Sequence, residues 1–132
     1  MNVFVDTTAF LALLDARHSQ HKFLRDVFAL ELEADATLVV TNYVVLETFD
    51  VLRRRLGVES LRLFARELLP ACDIVWVQPA DHALAVEMLL ACGPKPPTLV
   101  DCTSFVVARR LGVSQCMALD ERFAHEGLEP IC

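Results

Sequence analysis

Apolar and polar positions along this chain switch between two periods. Val3, Phe4 and Val5, then Thr37 to Val40, then Ile74 to Val77, then Gln115 to Leu119 are short runs rich in β-branched and apolar residues, the pattern of buried strands. A closing run over residues 128–132 reads as a fifth strand, and Pro130 inside it, lacking an N–H, assigns it to a sheet edge. Helical spacing fills the intervals. Residues 7–15 form a short helix, and residues 20–34 a longer one with Phe23, Val27, Leu30 and Ala34 on one face. Thr41 or Asn42 caps a helix that runs to Leu56 and stops at Gly57. Residues 59–69 form a helix ended by Pro70, and residues 79–91 another, with Pro79 in its first turn and Gly93 behind it. Pro94, Lys95, Pro96 and Pro97 make a rigid loop, residues 99–111 a helix closed by Gly112, and residues 120–125 a last helical turn or two.

Strands alternating with helices predict parallel βαβ units with right-handed crossovers. The expected fold is α/β, a three-layer α/β/α sandwich over a mostly parallel sheet of about five strands, as one domain over residues 1–132. In such sheets ligands gather just beyond the carboxyl ends of the strands.

Composition narrows the class. At 55% hydrophobic and 23% charged, the chain is too apolar for a disordered one. The longest uncharged stretch, residues 36–46, is 11 residues, well short of the about 20 a membrane-spanning helix needs, so no membrane role is expected. No basic, apolar secretory leader opens the sequence. The five cysteines, at 72, 92, 102, 116 and 132, are odd in number and form no CxxC pair, which suggests buried reduced thiols and a cytoplasmic setting. Net charge is −6, against bulk attraction to nucleic acid, yet residues 53–66 carry a local balance of +4 that includes Arg53, Arg54 and Arg55. This basic stretch reads either as a phosphate-contacting patch or as a solvated helix face.

Four acids fall on the ligand-collecting rim. Asp6 follows the first strand, Glu47 lies two turns into the helix after the second, Asp101 opens the helix after the Pro-rich loop, and Asp120 follows the fourth strand. Four converging carboxylates repel one another unless a cation neutralises them, and hard oxygen ligands select Mg²⁺ or Mn²⁺. Each acid also has a structural reading. Asp6 and Asp120 sit where N-caps belong, Thr98-x-x-Asp101 has the form of a capping box, and Glu47 points away from the apolar stripe of Val45, Phe49, Leu52 and Leu56.

The segments VFVDTTAFLALLD, TNYVVLETFDVL, TLVDCTSFVVARRLG and ALDERF, in this order and at these intervals, resemble the PIN-domain ribonucleases, most of all the VapC-type toxins of toxin–antitoxin pairs. The resemblance covers essentially the whole chain. It implies a metal-dependent endoribonuclease that cleaves structured RNA, with Asp6 and Asp101 holding the Mg²⁺ or Mn²⁺ ion most directly, Glu47 as ligand or as orienter of bound water, and Asp120 as a ligand through water. Thr8 matches a small hydroxyl residue near the first acid. Ala118 departs from the family, where many members carry Thr, and Arg122 stands where some relatives carry a further acid. The resemblance also implies a cognate antitoxin and a homodimer. His18 and His21, three apart, read as structural or surface residues rather than zinc ligands.

Rival readings are a catalytically weak PIN-like module that only binds nucleic acid or protein, and a Mg-dependent phosphatase-like domain. Against the second, Thr8 stands where a second Asp is required.

Overall fold

The structure is a computed structural model that describes residues 1–131. Among these residues five strands form one parallel sheet in the order β3-β2-β1-β4-β5. In chain order the elements are β1 (Asn2–Val5), α1 (Thr7–Leu14), α2 (His21–Glu33), β2 (Thr37–Thr41), α3 (Asn42–Arg55), α4 (Val58–Leu63), β3 (Cys72–Val75), α5 (Pro79–Ala91), α6 (Leu99–Leu111), β4 (Gln115–Met117), α7 (Arg122–His125) and β5 (Glu129–Pro130). The α/β expectation holds, and β5 is an edge strand as Pro130 requires.

Strand β1 is the centre of the sheet. Val3, Phe4 and Val5 are fully buried because neighbouring strands pair on both sides and helices cover both faces, which is why the run is continuously apolar rather than alternating. The chain winds outward from β1 to β3, then α5 and α6 carry it back past β1 to β4. Connections therefore leave β1 and β4 in opposite directions, and this reversal opens the crevice where α/β sheets bind ligands. The Asp6 N–H donates to the Met117 carbonyl at 3.0 Å and extends the β1–β4 pairing to the lip of that crevice.

Edge-on aromatic contacts fix the helices. Phe64 packs against Phe10 of α1 and Phe49 of α3, each with ring centroids 4.9 Å apart, and Phe105 of α6 packs against Phe123 of α7 at the same separation. Between α5 and α6, the buried Asp81 accepts from Arg110 Nε and Nη2, both at 2.9 Å, and from the Gln78 N–H at 2.9 Å, so one carboxylate both caps α5 and ties it to the helix that carries Asp101.

Several expectations are corrected. The long second helix buries Leu24 and Phe28, one position beyond the expected stripe; Phe23 is 48% and Leu30 63% exposed. Two overlapping apolar stripes satisfy the helical period there, and packing against α1 selects the other one. The helix expected over residues 59–69 is α4 followed by a π-helical turn (Phe64–Leu68) and a 3-10 turn (Leu69–Ala71), so Pro70 sits inside the last turn instead of ending a helix. The widened turn accompanies the full burial of Phe64. Strand β3 begins two residues earlier than expected, and Trp76 lies outside it. Cys102 and Cys116 are buried, but Cys92 is exposed and Cys72 half-buried; Cys132 and the end of the expected last strand lie outside the described residues.

The Arg110 guanidinium holds the Asp81 carboxyl below the usual carboxylate range. A lowered acid stabilises the fold above its unfolded value and loses that contribution as the pH falls through its folded value. Asp81→Asn should lower stability by about 2 kcal/mol at neutral pH, by loss of two charge-assisted bonds and a cap, and the deficit should shrink in acid. Urea unfolding of both proteins at neutral and acid pH measures it; an unchanged midpoint at neutral pH would mean the pair adds nothing.

Candidate active site

Every acid singled out in the sequence lies on the crevice side of the sheet, and the carboxylates of two of them, Asp6 and Asp120, also perform the local structural work that their positions suggest. Asp6 is the N-cap of α1: its Oδ2 accepts from the Thr8 N–H at 3.3 Å and the Thr8 hydroxyl at 2.9 Å. Thr98 caps α6 by accepting from the Asp101 N–H at 3.1 Å, which leaves the Asp101 side chain in the first helical turn. Asp120 Oδ1 accepts from the Arg122 N–H at 2.9 Å. A cap occupies one carboxylate oxygen and leaves the other.

At Asp6 the other oxygen is exceptional. The residue is 2% exposed, and Oδ1 is buried with no hydrogen-bond partner. Burial, then repulsion from Asp101, pushes the carboxyl up to about 7, against the opposing bonds from Thr8 and Thr7. Asp101 is also raised: burial acts first, the Thr98 bonds pull it back, and Glu47 and Asp120 repel it. Asp101 therefore feels all three other acids. It couples to Asp6 on one side and to Glu47 and Asp120 on the other.

Glu47 does not face away from the core as expected. The buried positions of α3 are Val44, Thr48 and Leu52, so Glu47 sits on the flank of the buried stripe, half-buried beside the crevice. Thr48 is buried because its hydroxyl donates to Thr7 at 3.2 Å, locking α3 against the first turn of α1. A polar residue inside the stripe hides this rotation from an apolar-only reading.

Thr8 is the pivot between strands. Its hydroxyl donates to Asp6 and receives the Leu119 N–H at 3.0 Å, joining the ends of β1 and β4. A hydroxyl at position 118 is therefore not needed for that link. Arg122 reaches the Pro96 carbonyl at 3.4 Å and bridges the Pro-rich loop to α7.

The three arginines of the basic stretch differ in their partners. Arg53 and Arg54 are drawn back onto Asp50 of their own helix, at 3.2 and 3.3 Å, while Arg55 extends towards the Thr8 side. His21 bonds the Ala12 carbonyl through Nδ1 at 2.9 Å and has a structural role, as expected. Sequence reading missed two pairs that join residues far apart in the chain: Asp81–Arg110, and Tyr43–His82 at 2.7 Å. Only the capping half of Asp81's role, behind Gln78 and Pro79, left a local signal.

Among the described residues no three His, Cys, Asp or Glu side chains gather tightly enough to enclose an ion as they stand. The donor set nevertheless suits a hard dication: carboxylates only, mutually repelling, with one buried oxygen that has no partner.

Together these features describe a parallel α/β domain with an acidic crevice at its topological switch point. The PIN domain matches residues 3–127, and the chain belongs to the PIN-domain family. The 23S rRNA-specific endonuclease VapC20 of Mycobacterium tuberculosis is 29% identical over 126 residues, covering 95% of this chain and 94% of that protein. The crystal structure of VapC20, a toxin that cleaves the sarcin–ricin loop, superposes with a TM-score of 0.85 over 96% of this chain and 95% of that one, at 28% identity. VapBC2 of Rickettsia felis, bound to a promoter DNA fragment, superposes with a TM-score of 0.70 over 98% and 97% of the two chains; at 12% identity it shares the fold.

The raised Asp6 carboxyl gives a signed prediction. Folded Asp6 holds its proton more tightly than unfolded Asp6, so its ionisation costs stability as the pH rises from the ordinary value of 3.8 to about 7. Metal-free wild type should lose stability relative to Asp6→Asn across that window, with the difference level above it. Chemical denaturation in chelator at stepped pH measures this; a difference constant across the window would mean that burial imposes no such cost.

Proposed function

We propose that this chain is an endoribonuclease toxin of the VapC type that cuts a structured RNA with the help of Mg²⁺ or Mn²⁺. The observation that carries the proposal is the chain of coupled carboxylates, Asp6 to Asp101 to Glu47 and Asp120, at the switch point of a PIN-domain sheet. Kinship with a 23S rRNA endonuclease over 95% of the chain supports RNA as substrate.

Asp6 and Asp101 would hold the ion, with Glu47 and Asp120 beside them. When bound, a dication in such a site polarises the scissile phosphate and lowers the pKa of bound water. The protein's own contribution is placement. Thr8 orients Asp6, Thr98 sets the first turn that carries Asp101, and the Thr48–Thr7 bond fixes the helix that carries Glu47. Bonds to Thr8 and Thr7 favour the ionised form of Asp6, the form able to bind a cation. Two associations belong to the same proposal: an antitoxin that brings an Arg or Lys to the exposed acids, and a homodimer. No helix among the described residues is long and apolar enough to cross a membrane.

The test separates chemistry from capping. Thr98 caps α6 through its own hydroxyl, an Asn side chain still accepts the bonds that Thr98 gives Asp101, and neutralising Asp101 relieves repulsion, so Asp101→Asn should change stability by no more than ~1 kcal/mol. Cleavage of a fluorescent structured RNA with Mg²⁺ or Mn²⁺ should fall at least about a hundredfold, ~2.7 kcal/mol of transition-state stabilisation. Millimolar Mg²⁺ should raise the melting temperature of wild type and not that of an Asp6→Asn, Asp101→Asn double variant. Cleavage by Asp101→Asn at the wild-type rate would reduce Asp101 to a helix residue and remove the site.

A further inference from the structure

The three consecutive arginines at the end of α3 are not equivalent. Asp50 engages Arg53 through Oδ1 and Arg54 through Oδ2, one helical turn back. Arg55 is exposed and makes no ion pair among the described residues. It lines a cavity of about 240 Å³. Leu11, Leu56 and Leu119 give this cavity apolar walls, and Thr8 and His18 supply polar ones. The cavity adjoins the acidic crevice through Thr8, whose hydroxyl is bonded to Asp6. The His18 ring accepts the Gln20 N–H at Nδ1, at 3.0 Å, which puts its own N–H at Nε2, without a hydrogen-bond partner among the described residues. Asp15, also at the wall, accepts the Arg17 N–H at 3.0 Å and lies 3.6 Å from the Arg17 guanidinium, which offsets its charge.

We infer that this cavity is a nucleotide subsite of the RNA-binding groove. Arg55 and His18 hold a backbone phosphate, and the three leucines enclose the adjoining sugar and base, one step along the strand from the carboxylates. The inference rests on the nuclease reading of the acids. The occupant follows from chemistry and size. One uncommitted guanidinium and one imidazole N–H beside an acidic crevice favour an anion at the far side of it. A sphere of this volume is about 8 Å across, narrower than a partner's α-helix, about 10–12 Å wide with its side chains. Sequence reading grouped Arg55 with two neighbours that share the one carboxylate of Asp50, and it left His18 as a structural or surface residue.

The experiment uses the full chain and a short fluorescent single-stranded RNA, with chelator present so that binding is read without cleavage. Arg55→Gln should weaken binding about tenfold and lower the slope of log affinity against log salt by about 0.7, one phosphate contact. The Arg53→Gln, Arg54→Gln double variant should bind within about threefold of wild type. Adenosine monophosphate should displace the RNA at least about tenfold better than inorganic phosphate, and Arg55→Gln should abolish that preference. Equal losses in both variants would describe a diffuse basic face, and no loss in Arg55→Gln would describe an idle side chain; either overturns the subsite, as does displacement by inorganic phosphate as effective as by the nucleotide. The two readings fail separately. Wild type that binds through Arg55 but cuts no RNA with metal present supports the subsite and ends the nuclease reading, whereas cleavage that ignores Arg55→Gln does the reverse.

Discussion

The Asp6 carboxylate is 2% exposed, and a charge taken that far from water must be compensated or given up. Its partial compensation organises the neighbourhood. Thr8 supplies two donors to one oxygen and receives Leu119 in return, which closes the gap between β1 and β4. Thr7, buried next to it, accepts from Thr48 and thereby sets the rotation of α3 that brings Glu47 to the crevice. The remaining deficit appears as the unpartnered Oδ1 and the raised carboxyl. A site whose compensation is left incomplete, at the one place where the topology opens the sheet, is poised for an external positive charge.

Capping and chemistry are compatible demands on the same residues. A helix N-terminus presents N–H donors and a positive end, so an acid there is stabilised in its ionised form while its second oxygen stays available. Asp6 before α1 and Asp120 before α7 each accept an N–H with one oxygen, and Asp101 lies in the first turn of α6. This placement explains why the structural and catalytic interpretations of these three acids could not be separated by position alone: one does not exclude the other. What separates them is the coupling, since capping does not require Asp101 to feel Asp6, Glu47 and Asp120 together.

Legibility in the sequence followed locality. Helices α5 and α6 begin and end where Pro79, Thr98 and Gly112 indicate, because those residues act on their own backbone. The positions of Asp6, Asp101 and Asp120 at the rim were legible for the same reason, since each follows or opens an element. Readings failed where distant packing decided among local equals. Helix α2 carries two apolar stripes, and only contact with α1 selects Leu24 and Phe28. The polar Thr48 occupies a buried position because of Thr7, which lies 41 residues away. Asp81 finds Arg110 across 29 residues. The pairing of Asp50 with Arg53 and Arg54 is a different case: its spacing of three and four was visible in the sequence, and a count of net charge along residues 53–66 passed over it because Asp50 lies just outside that window.

Coupling through Asp101 makes the ionisation of the crevice collective. A proton or cation taken up at Asp6 relieves Asp101, which Glu47 and Asp120 also repel. On the proposed reading, a dication and a partner's guanidinium then compete for one shared quantity of negative charge rather than for a particular residue. A partner arginine need not displace an ion from its ligands to silence such a site. By neutralising the outer acids Glu47 or Asp120, it lessens the repulsion that disfavours ionised Asp101 and Asp6, and with it the crevice's demand for a dication. On that reading, inhibition through the rim would follow from the same repulsion that would draw a metal to the site.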